Sequence, residues 1–231
     1  MTSGFLLINK PAGPTSHDIV DKLRIITGIR KIGHAGTLDP FAEGLLVVLI
    51  GREATKKQSD FLKKDKEYIA TLFLGDETDT YDKTGKIVNK HSGQLPTKDQ
   101  IKKVLKKFKG EILQTPPIYS AKKIKGKKAY ELARKGKEVS LKPSKINIKK
   151  LELLRYNVPC LVLCVMCSAG TYIRSLAHDI GRELECGAYL EKLIRIKSGK
   201  FDLKDAIDLD KLTSKNWQKL LCDIDKRYIY W

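Results

Sequence analysis

The chain has 231 residues, and 42% of them are hydrophobic, which is enough to build a buried core. Its 45 Lys and Arg residues outnumber its 27 Asp and Glu residues, so the formal net charge is +18. A charge of this size disfavours acidic proteins and neutral metabolites as main ligands and favours nucleic acid. A lysine-rich composition unrelated to any ligand would give the same charge, so the charge alone does not decide the partner.

The N-terminal residues 1–10 lack the basic segment, long apolar stretch and small-residue cleavage site of a signal peptide. No apolar run approaches the roughly 18 residues that a membrane span needs. We therefore expect a cytoplasmic protein with no membrane partner. The cysteines are expected to be reduced core residues, because strand alternation would separate Cys164 from Cys167 and no His lies nearby in sequence to complete a zinc site.

The first 50 residues predict a strand, a helix, a loop and a second strand. Apolar residues 5–8 predict a short strand that a Pro- and Gly-rich turn stops. Thr15 or Ser16 caps a helix with helically spaced apolar residues, which ends near Gly28. Residues 28–44 are rich in Gly and polar residues and predict a functional loop, which leads into the buried strand 45–50.

The middle of the chain mixes both kinds of element. Residues 52–63 predict helix, residues 66–75 alternate as a strand, and the acidic residues 76–82 predict a turn. Thr97 and Gln100 form a capping box for a helix with lysines on its outer side.

Further on, we expect a helix at 129–135, strands at 145–154 and 161–167, and a helix that Gly170 and Thr171 open and Gly187 ends. Without βαβ regularity, this order predicts an α+β fold.

The segment 33–40, GHAGTLDP, is the strongest candidate for chemistry. Its two Gly residues permit backbone shapes closed to other residues, and Pro40 restricts Asp39 to an extended conformation. A carboxylate held in this way beside an apolar strand can serve as a nucleophile, a general base or a metal ligand. An Asx turn before Pro40 would account for the same pattern without any catalysis, so spacing alone leaves both interpretations open.

Arg174 lies in the first turn of the predicted helix after residues 170–172. An interior Arg at a helix terminus is suited to orienting a carboxylate or a phosphate, although an ordinary surface Arg fits the same position. His178 follows Arg174 by four residues and shares its side of the helix, which leaves both interpretations open.

Several motifs together resemble the bacterial tRNA pseudouridine synthase B (TruB) family, whose members make pseudouridine 55 in the T arm of tRNA. The matching segments are FLLINKPAGPTS at 5–16, GHAGTLDPFAEGLL at 33–46, KEY at 66–68, TDTYD at 78–82, TPPIYSAK at 115–122 and GTYIRSL at 170–176. They occur in family order from residue 4 to about residue 201. The resemblance implies a pseudouridine synthase fold, with a mixed and mostly antiparallel central sheet, flanking helices and an RNA-binding cleft.

Residue by residue, the resemblance implies that Asp39 is the catalytic aspartate, Tyr68 the aromatic residue that packs on the target base, and Arg174 the partner of the aspartate. The carboxylate would act at C1′ as a nucleophile, start deprotonation at C2′ towards a glycal, or add to C6 of the ring, and the sequence does not choose among these. No cofactor or metal is implied.

The resemblance also implies residues that bind RNA. His34 would insert into the space left by the flipped uridine, Ile196 would cover the base, Lys10 would support the active-site loop, and Asp82 would lie near the site. Family members usually carry a C-terminal PUA-type RNA-binding domain, and the residues after Phe201 are too few for one. Basic residues are expected to supply part of the RNA affinity that such a domain would provide. These are Lys123, Lys125, Lys127 and Lys128.

From this pattern we expect a catalytic domain at 1–204 and a short extension at 205–231. The expected partner is the T-arm stem-loop of tRNA, bound by a monomer without an obligate protein partner. Two alternatives are a tRNA-folding chaperone without essential catalysis and a guide-RNA-dependent relative.

Overall fold

The computed structural model describes residues 2–120, 122–124, 126–133 and 140–224. Strands form most of the regular structure. They are β1 Gly4–Lys10, β2 Ile32–Ala35, β3 Glu43–Ile50, β4 Lys66–Leu74, β5 Asp76–Thr78, β6 Ile87–Lys90, β7 Gly110–Gln114, β8 Lys123–Ile124, β9 Lys127–Lys128, β10 Ser144–Asn157, β11 Cys160–Cys167, β12 Ala188–Ser198, β13 Phe201–Asp202 and β14 Ile207–Asp208.

Fewer residues are helical. The helices are α1 Ser16–Thr27, α2 Arg52–Lys56, α3 Gln58–Leu62, α4 Lys98–Lys107, α5 Ala129–Ala133 and α6 Ile173–Glu183, followed by 3-10 segments at Leu203–Asp205, Leu209–Lys211 and Trp217–Leu220. Within the described ranges, no helix is both long and apolar enough to cross a membrane.

The chain forms two compact units, and it passes from one unit to the other within β4 and again within β12. The first unit holds the residues up to Tyr68 and those from Leu193 onward, and the second holds Ile69–Lys192. The domain boundary at residue 204 stays a prediction.

The first unit contains a mixed sheet in the strand order β14-β1-β3-β12, with β2 added to β3 and β13 to β12. The pairs β1–β3, β2–β3 and β12–β13 are antiparallel, whereas β1–β14 and β3–β12 are parallel. Alternate side chains of β1 and β3 enter two hydrophobic clusters. One cluster joins Leu6, Ile8, Leu46 and Val48 to the buried side of α1, and the other joins Phe5, Leu7, Leu45 and Val47 to Ala54 and Phe61.

Helix α1 follows the sequence prediction because both its ends are capped. The Thr15 hydroxyl accepts from the Asp18 backbone N–H at 3.0 Å, and the Asp18 carboxylate accepts from the Thr15 N–H at 2.8 Å. Gly28 ends the helix at φ 70°, a left-handed conformation that favours Gly.

The second unit orders its long strands β4-β11-β10-β7, with β10 antiparallel to both β11 and β7. Two small antiparallel pairs, β5–β6 and β8–β9, accompany them. Helix α4 begins with the predicted capping box of Thr97 and Gln100 and contacts β10 and α6. Mixed sheets with few helices confirm the predicted α+β class.

Three local predictions are wrong. The predicted loop 28–44 contains strand β2, the predicted helix 52–63 is divided into α2 and α3, and the acidic turn begins with strand β5. Neither β2 nor β5 has a run of β-branched residues, and each is held by pairing with a neighbouring strand.

Candidate active site

Asp39 lies in the connection between β2 and β3, in the first unit. Its backbone carbonyl accepts from the Ala42 N–H at 3.1 Å, which closes a tight turn over residues 39–42. The Asp39 side chain is half-buried, whereas Leu38 is 3% exposed and Ala42 is fully buried. The flanking residues therefore anchor the turn in the core and leave the carboxylate at its margin.

Lys10, at the end of β1, holds this turn from one side. Its buried ammonium donates to the carbonyls of Pro11 at 2.9 Å, Pro40 at 3.1 Å and Ala42 at 2.7 Å. Burial lowers the pKa of Lys10 from 10.5 to about 8, and the negative charges of Asp39 and Glu43 oppose that shift. At neutral pH the ammonium thus keeps the three N–H donors that its three carbonyl partners use.

Arg195, on β12, holds the turn from another side. Its side chain is 1% exposed, Nε donates to the Leu45 carbonyl at 2.6 Å, and Nη2 donates to the Gly36 carbonyl at 2.9 Å. Gly36 has φ 90°, and a Cβ there would lie 3.3 Å from Nη1 of Arg195. A Gly at position 36 thus allows both the backbone turn and the close approach of the guanidinium.

Ser16 supplies a third anchor, from the first turn of α1. Its hydroxyl accepts from the Leu38 N–H at 2.9 Å and donates to the Leu38 carbonyl at 3.0 Å. The Gly13 N–H adds a bond to the Pro40 carbonyl at 2.8 Å. Together with Lys10 and Arg195, these contacts bind the backbone on both sides of Asp39.

His34 lies on β2, five residues before Asp39. Its carbonyl accepts from the Gln58 amide at 2.6 Å, while its Nδ1 is buried without a hydrogen-bond partner among the described residues. Burial lowers the pKa of His34, and the positive charge of Arg195 lowers it further. The imidazole is therefore neutral at pH 7.

Tyr68 and Ile196 complete the predicted positions of the first unit. Tyr68 is 8% exposed on β4, where its neighbours at alternate positions are also buried. Ile196 is half-buried on β12, directly after Arg195.

Arg174 and Asp82 come together in the second unit. Arg174 is 6% and Asp82 3% exposed, and Nη1 of Arg174 lies 3.3 Å from Oδ2 of Asp82. The guanidinium also donates to the carbonyls of Thr80 at 3.2 Å and Tyr119 at 2.9 Å. Arg174 is therefore a buried, oriented residue, and the interpretation as a surface Arg is wrong. The predicted pairing of Arg174 with Asp39 would join residues of the two units, and it stays a prediction.

The turn that carries Asp82 is heavily bonded. Its Oδ1 accepts from the Thr80 hydroxyl at 2.9 Å and from the Thr84 N–H at 2.9 Å. Tyr81 adopts φ 63° and stacks on His178, with ring centroids 3.9 Å apart. His178 thus supports this turn, one helical turn after Arg174.

The structure describes only part of the basic residues that are predicted to bind RNA. Lys125 lies outside the described residues, and for Lys123, Lys127 and Lys128 the structure describes the backbone alone. Among the described residues, no group of three or more His, Cys, Asp or Glu side chains is placed to hold a metal ion.

The sequence does not predict the roles of Ser16, Gln58 and Arg195 around the Asp39 turn. One signal for Arg195 is present, because it stands between two isoleucines at 194 and 196. An Arg in an apolar strand indicates a buried partner.

The sequence matches one known protein family over most of its length. A profile of the "TruB family pseudouridylate synthase (N terminal domain)" matches residues 24–173, and one of the "tRNA pseudouridylate synthase B C-terminal domain" matches residues 174–226. The chain belongs to the TruB family. This membership confirms the predicted resemblance.

Similar TruB family members occur in chlamydiae. The tRNA pseudouridine synthase B of Protochlamydia amoebophila is 52% identical over 89% of this chain and 78% of its own length. The protein of the same name from Chlamydia abortus is 48% identical over 90% of this chain and 88% of its own length.

A solved structure supports the fold. The Cbf5-Nop10-Gar1 complex contains a chain that is 32% identical with a TM-score of 0.72, and the match covers 93% of this chain. This chain spans 54% of that one, about half its length. The predicted pseudouridine synthase fold is confirmed.

Proposed function

We propose that this TruB family member is a tRNA pseudouridine synthase that isomerises uridine 55 in the T arm. The observation that carries the proposal is the half-buried Asp39, on a backbone anchored by Lys10, Ser16 and Arg195, in a chain about 50% identical to proteins named tRNA pseudouridine synthase B. The net charge of +18 suits an RNA substrate.

The isomerisation breaks the bond between N1 of the base and C1′, turns the base and rejoins it through C5. Asp39 starts this sequence by attack at C1′, by removal of a C2′ proton, or by addition to C6. Each route needs an ionised carboxylate, and the Lys10 ammonium favours that state because it attracts the Asp39 charge. The backbone anchors fix where the carboxylate can act, which removes orientational freedom before the reaction.

The other predicted residues assist this step. Tyr68 stacks on the target base and offers a hydroxyl near the proton that leaves C5. Arg174, oriented by Asp82, pairs with the catalytic carboxylate. Ile196 covers the base from the far side.

His34 takes the place of the flipped uridine in the folded T loop. Flipping costs a few kcal/mol of unstacking, and an inserted planar ring recovers part of it. A neutral imidazole is suited to this role because it enters a base stack without the desolvation of a charge. Lys123, Lys125, Lys127 and Lys128 remain predicted phosphate contacts.

We propose that the protein acts in the cytoplasm as a monomer and needs no cofactor, guide RNA or second protein. The test is incubation of the purified chain with an unmodified tRNA transcript, followed by chemical mapping of pseudouridine. Modification at uridine 55 alone is the expected result. A transcript with cytidine at position 55 is the control.

Two outcomes would contradict the proposal. Binding and refolding of tRNA without pseudouridine would favour the chaperone alternative. Activity that requires an added guide RNA would favour the guide-dependent alternative.

A further inference from the structure

Helix α6 contacts the turn that carries Asp82 at two points. At the first, Nη1 of Arg174 reaches the Thr80 carbonyl at 3.2 Å and Oδ2 of Asp82 at 3.3 Å. At the second, one helical turn later, the His178 ring stacks on the Tyr81 ring. Tyr81 therefore lies between the two residues of the turn that bind Arg174. Because residues 80–82 are consecutive, a shift of Tyr81 also moves an acceptor of the guanidinium.

The contact between the two rings is close and nearly parallel. The ring centroids are 3.9 Å apart, and the planes are inclined by 12°. Burial lowers the pKa of His178, although the negative charge of Glu77, whose Oε1 lies 3.5 Å from Nδ1, opposes that shift. Burial also raises the pKa of the Tyr81 hydroxyl. The stack therefore joins two uncharged rings at pH 7.

The backbone of Tyr81 explains why the turn needs this contact. Tyr81 has φ 63°, a left-handed conformation that is disfavoured for a residue with a Cβ. Its carbonyl accepts from the Leu190 N–H at 3.0 Å, and its N–H donates to the Thr78 carbonyl at 3.2 Å. Both of these bonds use the main chain, whereas the His178 ring packs against the side chain. The stack thus stabilises a residue whose backbone conformation is unfavourable.

The turn fixes the plane of the Arg174 guanidinium together with a second segment. Nη2 of Arg174 donates to the Tyr119 carbonyl at 2.9 Å, while Nη1 is bound by the turn. A movement of the turn would weaken the bonds at Nη1 and leave the bond at Nη2, so the plane would tilt. A tilted guanidinium loses the parallel donors with which Arg binds a carboxylate.

We propose that His178 and Tyr81 are positioning residues for Arg174, whose guanidinium plane their stacked rings keep in place by holding the turn at 80–82. The inference rests on the proposed function, in which Arg174 pairs with the catalytic carboxylate. The two rings act on the reaction through Arg174 and not by contact with the substrate. Their loss should therefore slow the isomerisation of bound tRNA without weakening its binding.

The test compares His178→Leu, which removes the ring, with His178→Phe, which keeps a planar ring. Single-turnover rates of pseudouridine formation and tRNA affinities are measured for both. In His178→Leu the rate should fall about 10- to 100-fold, as for a catalytic group misplaced by up to about 1 Å. Its affinity should stay within about threefold. His178→Phe should recover a rate within about threefold of the native one. Equal rates in the two variants would overturn the proposal.

A double-mutant cycle with Tyr81→Leu tests whether the two rings act as one contact. Each single substitution removes the same stack. The rate of His178→Leu/Tyr81→Leu should therefore be close to that of the slower single variant. Losses that multiply in the double variant would show two independent effects and would overturn the proposal.

The matched control is Phe73→Leu, which removes a ring from another stacked pair of the second unit. Phe73 stacks on Tyr189 with centroids 5.1 Å apart and planes inclined by 17°. This variant should lose thermal stability much as His178→Leu does, and it should keep the native rate. If the rate fell equally in both at an equal loss of stability, general destabilisation would explain the result and the proposal would be overturned.

NMR of the Arg174 guanidinium gives a readout that does not depend on catalysis. In a chain labelled with ¹⁵N-arginine, and with the signals assigned by an Arg174→Lys variant, a guanidinium bound at both Nη atoms rotates slowly and gives separate resonances. These should persist in the native chain and in His178→Phe, and they should merge in His178→Leu. Unchanged Arg174 resonances in His178→Leu would overturn the proposal. Absence of pseudouridine with the native chain would instead contradict the proposed function, and the NMR comparison would still be readable.

Discussion

Arg195 provides a sharp test of how the Asp39 backbone is held. The substitution Arg195→Lys keeps the positive charge but loses the forked guanidinium that reaches two carbonyls, those of Leu45 at 2.6 Å and Gly36 at 2.9 Å. A lysine ammonium at this depth can replace one of these bonds more easily than both. The Gly36 carbonyl is three residues from Asp39, so losing its bond frees the backbone on one side of the carboxylate.

The magnitude follows from the buried carbonyl. A buried acceptor that loses its donor costs about 1 to 3 kcal/mol, which is the expected loss in free energy of unfolding for Arg195→Lys. Displacement of a catalytic group by about 1 Å can cost roughly 100-fold in rate. We therefore expect the rate of pseudouridine formation under single-turnover conditions to fall about 10- to 100-fold. The affinity for tRNA should change by less than about threefold, because Arg195 is buried.

The assay combines single-turnover kinetics, tRNA binding and titration of His34 by NMR. Arg195→Met removes the charge that helps to lower the pKa of His34, so the pKa should rise in that variant and stay low in Arg195→Lys. Arg155→Lys, an exposed position on β10, is the matched control. A normal rate in a folded Arg195→Lys variant would refute the idea that this bond positions Asp39.

Three further outcomes are expected. Asp39→Asn should abolish pseudouridine formation, which chemical mapping measures. It should leave tRNA affinity, measured by filter binding, within about tenfold of the native value, or about 1.4 kcal/mol. Retained turnover would contradict the role of Asp39 as the catalytic aspartate. Tyr68→Phe keeps the stacking face and loses the hydroxyl, so the rate of the bound complex should fall far more than affinity; weaker binding at a normal rate would make Tyr68 a binding residue only. Lys10 has its pKa lowered from 10.5 to about 8, so between these pH values the unfolded chain binds more protons than the folded chain, and the free energy of unfolding rises with pH. Denaturant titrations of the native chain and of Lys10→Met measure this rise. The free energy of unfolding of the native chain should rise with pH by an extra amount on the order of 3 kcal/mol, and parallel pH curves for the two proteins would contradict the prediction.

Elements with local signals could be predicted from the sequence. The ends of α1 follow from Thr15 and Gly28, and the start of α4 from Thr97 and Gln100, because caps act within a few residues of the chain. Strands β1, β3 and β4 follow from apolar runs and alternation. These signals need no knowledge of the tertiary structure.

Elements held by distant partners could not be predicted from the sequence. Strand β2 exists because Gly33 and His34 pair with Leu49 and Val48 of β3, and nothing in the local sequence marks that pairing. Asp39 could be identified as a candidate from the Gly and Pro residues around it. The residues that hold its backbone in place could not be identified in this way. Arg195 reaches Gly36 across 159 positions of sequence, and its partners are backbone carbonyls, which every residue type offers.

The anchors around Asp39 have a consequence for its charge. Lys10 and Arg195 are buried, and their hydrogen bonds described above go to carbonyls, which stabilise a cation without cancelling its charge. Asp39 and Glu43 are the negative groups that most oppose the lowered pKa of Lys10. In the Asp39→Asn variant the pKa of Lys10 should therefore fall below about 8, because the largest of the three opposing charges, those of Asp39, Glu43 and Asp18, is gone. The bonds to the turn described above come from Lys10, Ser16, Arg195 and main-chain atoms, and all of these groups remain in the variant, so the turn should persist while this pKa changes. NMR titration of Lys10 in the variant and in the native chain measures the difference, and an equal pKa in both would show that the Asp39 carboxylate does not act on the buried ammonium.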